Sequence, residues 1–224
     1  MLIRIQCLAI GYVFGLFQTA YIIGRLHHTD IRRHGSGNAG TTNALRTFGK
    51  KAGALTLLGD VLKCFLAMLL VSRVFRGSHG EILPLLTMYT GFGCILGHNF
   101  PFYLNFRGGK GIGASAGLIL FFDWKIFLVG VIAVFGGILA TTHYVSLGSL
   151  SAYVISYILI MIRGQMGAYG MDQAHLTELY LVVGAMTILA FVRHRANIKR
   201  LLSGTENKIY LGKKKDPGTV SRTK

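Results

Sequence analysis

Seven apolar stretches, at roughly residues 2–23, 53–72, 82–97, 112–122, 126–142, 145–162 and 177–192, are separated by polar segments in which Lys, Arg, Gly and Asn collect. A chain patterned this way has few options. In hydrocarbon every backbone N–H and C=O must find a partner within the protein, so apolar runs of this length fold as membrane-spanning helices. With 52% hydrophobic residues, 14% charged residues and a mean hydropathy of +0.51, the chain falls outside the range of an ordinary soluble domain. The formal net charge of +16 would suggest nucleic acid in a soluble protein. Here the cations gather at the ends of apolar stretches, which marks topology and a lipid-bilayer setting and gives no reason to expect a nucleic-acid partner.

The stretch 112–122 decides the number of crossings. Eleven residues rise about 16 Å, short of the ~30 Å of hydrocarbon, so this segment is either a short span or half of one long helix with 126–142. Seven crossings with the N-terminus outside put 24–52, 98–111 and 193–224 in the cytoplasm, with 18 of the 24 Lys and Arg residues, against five on the other side. Merging the two stretches would send the ten Lys and Arg residues after Phe191 outside, against the positive-inside rule. The expected fold is therefore an all-α, polytopic membrane helix bundle of seven transmembrane helices, with the N-terminus outside and the C-terminus cytoplasmic. Residues 1–211 form the membrane domain and 212–224 a frayed, polar, basic C-terminal tail. Arg4 before the first stretch, against Arg25, Arg32 and Arg33 after it, is the reverse of a signal peptide. Cys7, Cys64 and Cys94 lie in apolar stretches without metal-ligand spacing and read as small buried hydrophobes.

Three polar islands carry the chemistry. The first is Gly35-Ser36-Gly37-Asn38-Ala39-Gly40, followed by Thr41, Thr42, Asn43 and Arg46. It is formally G-x-G-x-x-G, but it lies between two membrane stretches and lacks the βαβ unit of a dinucleotide fold. What survives is a glycine loop whose N–H groups, hydroxyls, amides and guanidinium suit an anion. The second is His98-Asn99-Phe100-Pro101 with Phe106-Arg107-Gly108-Gly109-Lys110-Gly111. Gly111 and Leu104 break a Walker A pattern, so no nucleotide is implied. A glycine run entering a helix N-terminus still favours an anion, with Arg107 and Lys110 as cations. The third holds His194, Asn197, Ile198, Arg200, Leu201, Gly204 and Glu206, with His194 and Asn197 about one helical turn apart. Asp60 and Lys63 stand at i, i+3 within the second stretch, where charges are costly and turn inward; they are expected to neutralise each other and brace the site. His143 has no evident partner, and His27 and His28 read as solvated loop residues.

The three islands together resemble the bacterial acyl-phosphate:glycerol-3-phosphate acyltransferases, the PlsY family. The resemblance runs over nearly the whole chain and rests on the first loop with Arg46, on Gly97-His98-Asn99-Phe100-Pro101 with the 106–111 run, and on His194-x-x-Asn197-Ile198-x-Arg200-Leu201 with Gly204 and Glu206. It implies seven helices, an outside N-terminus, the bacterial inner membrane with cytoplasmic active-site loops, and a functional partnership with the enzyme that supplies acyl phosphate. It implies acyl transfer from acyl phosphate to the 1-hydroxyl of glycerol 3-phosphate, giving lysophosphatidic acid and phosphate, the first acylation step of phospholipid synthesis. Cys64 stands where the family's D-x-x-K is followed by glycine, and Gly113-Ala114-Ser115 replaces the usual Ala-Thr pattern; neither touches a charged or amide group.

In the expected mechanism Ser36, Arg46, Lys110, His194 and Asn197 are the catalytic set. Gly37, Asn38, Gly40, Thr42, Asn43, His98, Arg107, Gly108, Gly109 and Gly111 bind substrate phosphates, and Asp60, Lys63 and Glu206 give support. The 108–111 run holds one phosphate, while Ser36, Asn43 and Arg46 meet the second phosphate or the developing oxyanion. His194 and Asn197 orient the glycerol. No H-x4-D pair or Ser-His-Asp set is evident, so positioning and charge stabilisation carry the rate, with the leaving phosphate or else His194 or His98 taking the proton. No metal or other cofactor is implied. The alternative is a transporter of a phosphorylated solute, which would place its polar groups at the midplane between repeats.

Overall fold

The computed structural model describes residues 1–210, so residue 211 and the tail expected over 212–224 lie outside the described residues. The first apolar stretch is expected as one helix but forms two, α1 (Leu2–Gly15) and α2 (Thr19–Leu26). The break leaves helix-end carbonyls that must be satisfied inside the protein. The buried Gln18 side chain donates to Gly15 O at 3.1 Å and, across the bundle, to Gly97 O at 3.4 Å and His98 O at 3.1 Å. Phe17 O accepts from Lys63 Nζ at 2.7 Å.

A short helix, α3 (Thr41–Phe48), precedes α4 (Lys50–Phe75). On α4, Leu55, Leu58, Leu62, Leu66 and Leu70 form an exposed stripe at helical spacing, while Thr56, Asp60, Lys63, Ala67 and Met68 are buried on the opposite face. The helix thus turns leucines to lipid and polar groups inward. Next come α5 (Leu83–Asn99) and α6 (Ile112–Phe122). Then α7 (Trp124–Ile126) passes through a π-helical segment, Phe127–Phe135, into α8 (Gly136–Thr142). The last elements are α9 (Val145–Gln165), α10 (Gln173–Arg193) and α11 (Arg195–Leu202). The described residues contain no strand.

Among the described residues, six segments are long and apolar enough to cross a membrane: Leu2–Leu26, Lys50–Phe75, Gly80–Leu104, Trp124–Thr142, Val145–Gln165 and Gln173–Arg193. Ile112–Phe122 is the shorter apolar helix the sequence marks out. It does not run on into the next segment. The backbone turns extended at Asp123, whose carboxylate accepts from the Lys125 and Ile126 N–H groups at 3.1 and 3.4 Å and pairs with Arg163.

With lipid as apolar as the side chains, helices in a bilayer hold together through close backbone packing and polar contacts. Gly11 and Gly15 of α1 meet Gly93 and Gly97 of α5, each in small-xxx-small spacing. A Cβ at Gly11 would lie 1.9 Å from Thr90 O, and one at Gly93 would lie 2.0 Å from Leu8 O, so each backbone sits where the other's side chain would be. Gly113 and Gly117 seat α6 on α4 in the same way, the latter with Val61 O 2.2 Å from its would-be Cβ. At the end of the bundle away from the polar loops, Glu178 of α10 accepts from Arg4 Nε at 2.5 Å and Nη2 at 2.8 Å, and from Tyr89 OH at 2.8 Å, tying three helices together. Cys7, Cys64 and Cys94 are free and buried, packed as small hydrophobes.

Candidate active site

The first polar loop is built around two side chains. Asp30 accepts from Arg32 N at 2.9 Å and grips the Arg32 guanidinium, which holds its carboxyl below the usual range; Arg32 also donates to Leu104 O at 2.8 Å and so joins the first loop to the second. Asn43 is fully buried. Its Oδ1 accepts from Ser36 N at 2.9 Å, and its Nδ2 donates to Ile31 O at 3.1 Å and His34 O at 2.9 Å. The Asn43 amide, expected to meet a phosphate, is therefore fully engaged in shaping the loop. At the start of α3, Gly40 provides no side-chain cap, and the Thr41 and Thr42 N–H groups take no partner among the described residues. Free amides at a helix start favour negative charge.

The second loop rests on a buried polar cluster. Lys63 Nζ donates to Phe17 O at 2.7 Å, forms an ion pair with Asp60 Oδ1 at 2.8 Å and lies 2.8 Å from His98 Nδ1; an ammonium has no lone pair with which to accept. His98 Nδ1 must then be the acceptor, so the ring proton of a neutral His98 sits on Nε2, against the glycine loop. That loop needs its glycines: a Cβ at Gly109 would lie 1.9 Å from His98 Nε2, and one at Gly108 would lie 2.0 Å from His98 O. Gly108 N donates to Asn99 O at 3.1 Å and Gly109 N to His98 O at 3.0 Å. Beyond them the N–H groups of Lys110, Gly111, Ile112 and Gly113 take no partner among the described residues. This is a run of donors leading into α6.

The third island closes the site. His194 ends α10 and begins α11; its Nδ1 donates to Ala190 O at 2.8 Å, which leaves the Nε2 lone pair available. Burial and the nearby Lys110 ammonium push its pKa down to about 4, so the ring is neutral near pH 7. Asn197 links two charged groups. Its Oδ1 accepts from Lys110 Nζ, and its Nδ2 donates to Glu206 Oε1 at 2.7 Å. Glu206 also accepts from Ser146 Oγ at 3.0 Å and from Arg200 Nε at 2.7 Å. Burial works against the Glu206 charge, but these hydrogen bonds outweigh it and hold its pKa below the usual carboxylate value. For Lys110, burial outweighs the help of Glu206 and lowers its pKa to about 8. Arg46 is lowered by burial too, and its Nη2 donates to Asn207 O at 3.3 Å.

These groups surround one cavity of about 530 Å³. At its polar end lie Ser36, Asn38, Gly40, Thr42, Asn43 and Arg46 from the first loop, with Lys110, His194, Asn197 and Glu206. His98 and Asp60 reach its wall from below. The other end runs between α6, the π-helical segment, α9 and α10, lined by side chains such as Val131, Phe135, Ile160, Val183 and Met186. Hydroxyls along this wall are turned back to the protein: Ser149 Oγ donates to Val145 O at 2.8 Å, and Ser115 Oγ donates to Gly111 O at 2.9 Å and meets Tyr153 OH. The cavity is thus cationic and amide-rich at one end and apolar at the other, the shape of a site for an amphiphile with an anionic head.

Arg107 and Gly37 are not brought to this cavity. Arg107 is exposed, and with Gly37 it borders a separate surface recess beside Asp30, Arg33 and Asn105. Gly108, Gly109, Gly111 and Lys63 act from behind the cavity wall through the contacts above. Sequence reasoning missed Gln18, Ser115, Ser146, Tyr153 and Arg193. Only Arg193 carried a readable signal, as a cation directly preceding His194. The others depend on partners far away in the chain.

The chain is similar to known proteins over most of its length. The family described as Glycerol-3-phosphate acyltransferase matches residues 5–204. A curated glycerol-3-phosphate acyltransferase of Clostridioides difficile (strain 630) is 43% identical over 210 residues, covering 92% of this chain and 95% of its own. One of Bacillus subtilis (strain 168) is 39% identical over 203 residues, covering 89% and 94%. Among solved structures, PlsY, an integral membrane glycerol 3-phosphate acyltransferase, is similar in its glycerol 3-phosphate form with a TM-score of 0.80 at 29% identity, over 92% of this chain and 96% of that one. Its lysophosphatidic acid form gives a TM-score of 0.77 at 28% identity, over 92% and 95%. With a match over residues 5–204, which takes in the first two polar loops and the third as far as Gly204, the chain belongs to the glycerol-3-phosphate acyltransferase family.

Proposed function

We propose that this integral membrane acyltransferase moves a fatty acyl group from acyl phosphate to the 1-hydroxyl of glycerol 3-phosphate, releasing lysophosphatidic acid and inorganic phosphate. The observation that carries the reading is the single cavity that joins a cationic, amide-rich end to an apolar channel. Such a space suits a donor with a phosphate at one end and a hydrocarbon chain at the other. It also has two groups of unpartnered backbone donors, at the start of α3 and at residues 110–113, for two phosphates. In this account the free N–H groups of residues 110–113 with the Lys110 ammonium hold one phosphate, Gly108 and Gly109 shape the loop behind them, and Ser36, Thr42 and Arg46 serve the second. Asn43 shapes the first loop, in place of the direct contact expected of it.

The proton accounting favours substrate assistance. An acyl phosphate is already activated, because phosphate is a good leaving group. His194, lowered to about 4, is a weaker base than a phosphate whose second pKa is about 6. Its Nε2 lone pair suits it to accept from and aim the glycerol hydroxyl, while the departing phosphate takes the proton. His98, with Nδ1 bound by Lys63, supports the glycine loop. Asp60, Lys63 and Glu206 act as structural support.

We further infer seven crossings, with Ile112–Phe122 as the short fourth, an outside N-terminus, and the three loops on the cytoplasmic side of the bacterial inner membrane. The distribution of 18 of 24 cations supports this topology. It puts the site where a soluble glycerol phosphate and a lipid-borne donor can both arrive, next to an enzyme that supplies acyl phosphate. The unit 1–211 is read as one membrane domain. Arg46→Ala and Lys110→Ala each cut acyl transfer sharply with the fold retained; near-normal rates in either well-folded variant would remove that residue from the site.

A further inference from the structure

Arg193 ends α10 immediately before His194 and does not line the cavity. Its guanidinium is committed elsewhere. Nη2 donates to Gly109 O at 2.7 Å and to Gly108 O at 3.3 Å, and the group lies over the Phe100 ring at 5.1 Å from its centroid. Both faces of the glycine run are thereby fixed. On one side the Gly108 and Gly109 N–H groups are held by Asn99 O and His98 O; on the other, the carbonyls of the same two residues are held by Arg193.

The peptide plane carries this through to the site. In a trans peptide the C=O of one residue and the N–H of the next point in opposite directions. Binding Gly109 O to Arg193 therefore turns the Lys110 N–H away from the guanidinium, at the head of the unpartnered donors of residues 110–113. Glycine has no intrinsic preference that would hold this orientation. Because Arg193 and His194 are consecutive, the same helix end that pins the loop also carries the imidazole whose Nδ1 is bound to Ala190 O.

We propose that Arg193 is a positioning residue: it orients the 108–110 backbone so that the donors of residues 110–113 converge on one phosphate, and fixes that phosphate relative to His194. The inference rests on the anion-binding reading of the glycine run given above and goes beyond it by naming what sets its geometry. Arg193 itself touches neither substrate.

The test uses the full chain, purified in lipid, with Arg193→Met, Arg193→Lys and Phe100→Leu. Folding is checked by thermal unfolding and by retention of a single species on size exclusion. Inorganic phosphate binding is measured directly, and KM for each phosphate-bearing substrate is measured by turnover. Loss of charge-assisted hydrogen bonds in Arg193→Met should weaken phosphate binding about tenfold or more and raise KM for one of the two substrates by a similar factor, with the other nearly unchanged. Arg193→Lys should recover part of that loss, and Phe100→Leu should move the same KM in the same direction by less. Unchanged phosphate binding and KM values in folded Arg193→Met, or an equal rise in both KM values, would overturn the proposal. If Arg193→Met does not fold, the other two variants decide by the same criteria. Phosphate binding needs no turnover, so it separates this inference from the choice of donor: weaker binding without acyl transfer by the wild type would retain the positioning role and reject the reaction.

Discussion

Replacing Glu206 by Gln keeps the size of the side chain and removes its charge. One Glu206 oxygen accepts from Ser146 and Asn197, and the other accepts from Arg200. A glutamine keeps one acceptor oxygen and must turn an NH2 toward the other set of donors, so at least one charge-assisted hydrogen bond is lost, at about 1.5–3 kcal/mol. If that loss is expressed at the site, kcat/KM falls roughly ten- to hundredfold. The route to the site is short, because Asn197 holds Lys110 with the other end of the same amide. Glu206 is also the group that supports the Lys110 charge against burial. The Lys110 pKa of about 8 therefore falls further in the variant, and the cation is lost at lower pH. A lysine must be protonated to meet a phosphate, so the alkaline limb of kcat/KM moves to lower pH and the defect deepens as pH rises. The assay is lysophosphatidate formation by protein in bilayers, from neutral to alkaline pH, with Glu206→Asp as the charge-retaining control. A Glu206→Gln profile with the wild-type alkaline limb and near-normal kcat/KM would refute this chain of reasoning.

Other consequences follow from packing and charge. Gly93→Ala places a methyl where Leu8 O stands and should cost about 1–3 kcal/mol by overpacking, seen as a lower Tm; an unchanged Tm would contradict the close α1–α5 contact. Lys63→Met leaves Asp60 as an uncompensated buried charge and should destabilise by roughly 3–5 kcal/mol, while Lys63→Met with Asp60→Asn should recover much of the loss, as read by a double-mutant cycle. The His194 ring should titrate near pH 4 by NMR, not near 6.5. A depressed histidine pKa gives stability that is present above about 6.5 and lost as pH falls through about 4, on the order of 3 kcal/mol.

Much of the bundle was legible because lipid imposes one rule on every segment. The stretch 112–122 coincides with α6, and the break that separates it from the next helix falls at Asp123, where an apolar run meets a side chain able to cap. The break in the first stretch was not legible, because Leu16 and Phe17 continue the apolar pattern and the opened segment is held from afar, with Lys63 of α4 on Phe17 O and the α5 carbonyls of Gly97 and His98 on the Gln18 amide. The glycine pairs of α1 and α5 stand in small-xxx-small spacing, a pattern that does not by itself name the helix it meets. At the site, the residue types were readable and their partners were not. Asn43 looked like a ligand and is engaged by its own loop, and His98 looked like a possible base and is occupied by Lys63. Two arginines flank the glycine run; sequence adjacency favoured Arg107, whereas the fold brings Arg193 to it from 84 residues away.

The most direct test of the account is acyl transfer to labelled glycerol 3-phosphate by the purified protein, with acyl phosphate, acyl-CoA and acyl carrier protein compared as donors. The account predicts lysophosphatidate from acyl phosphate alone. Equal or faster product from a thioester donor, or no product from any donor in folded protein, would contradict it.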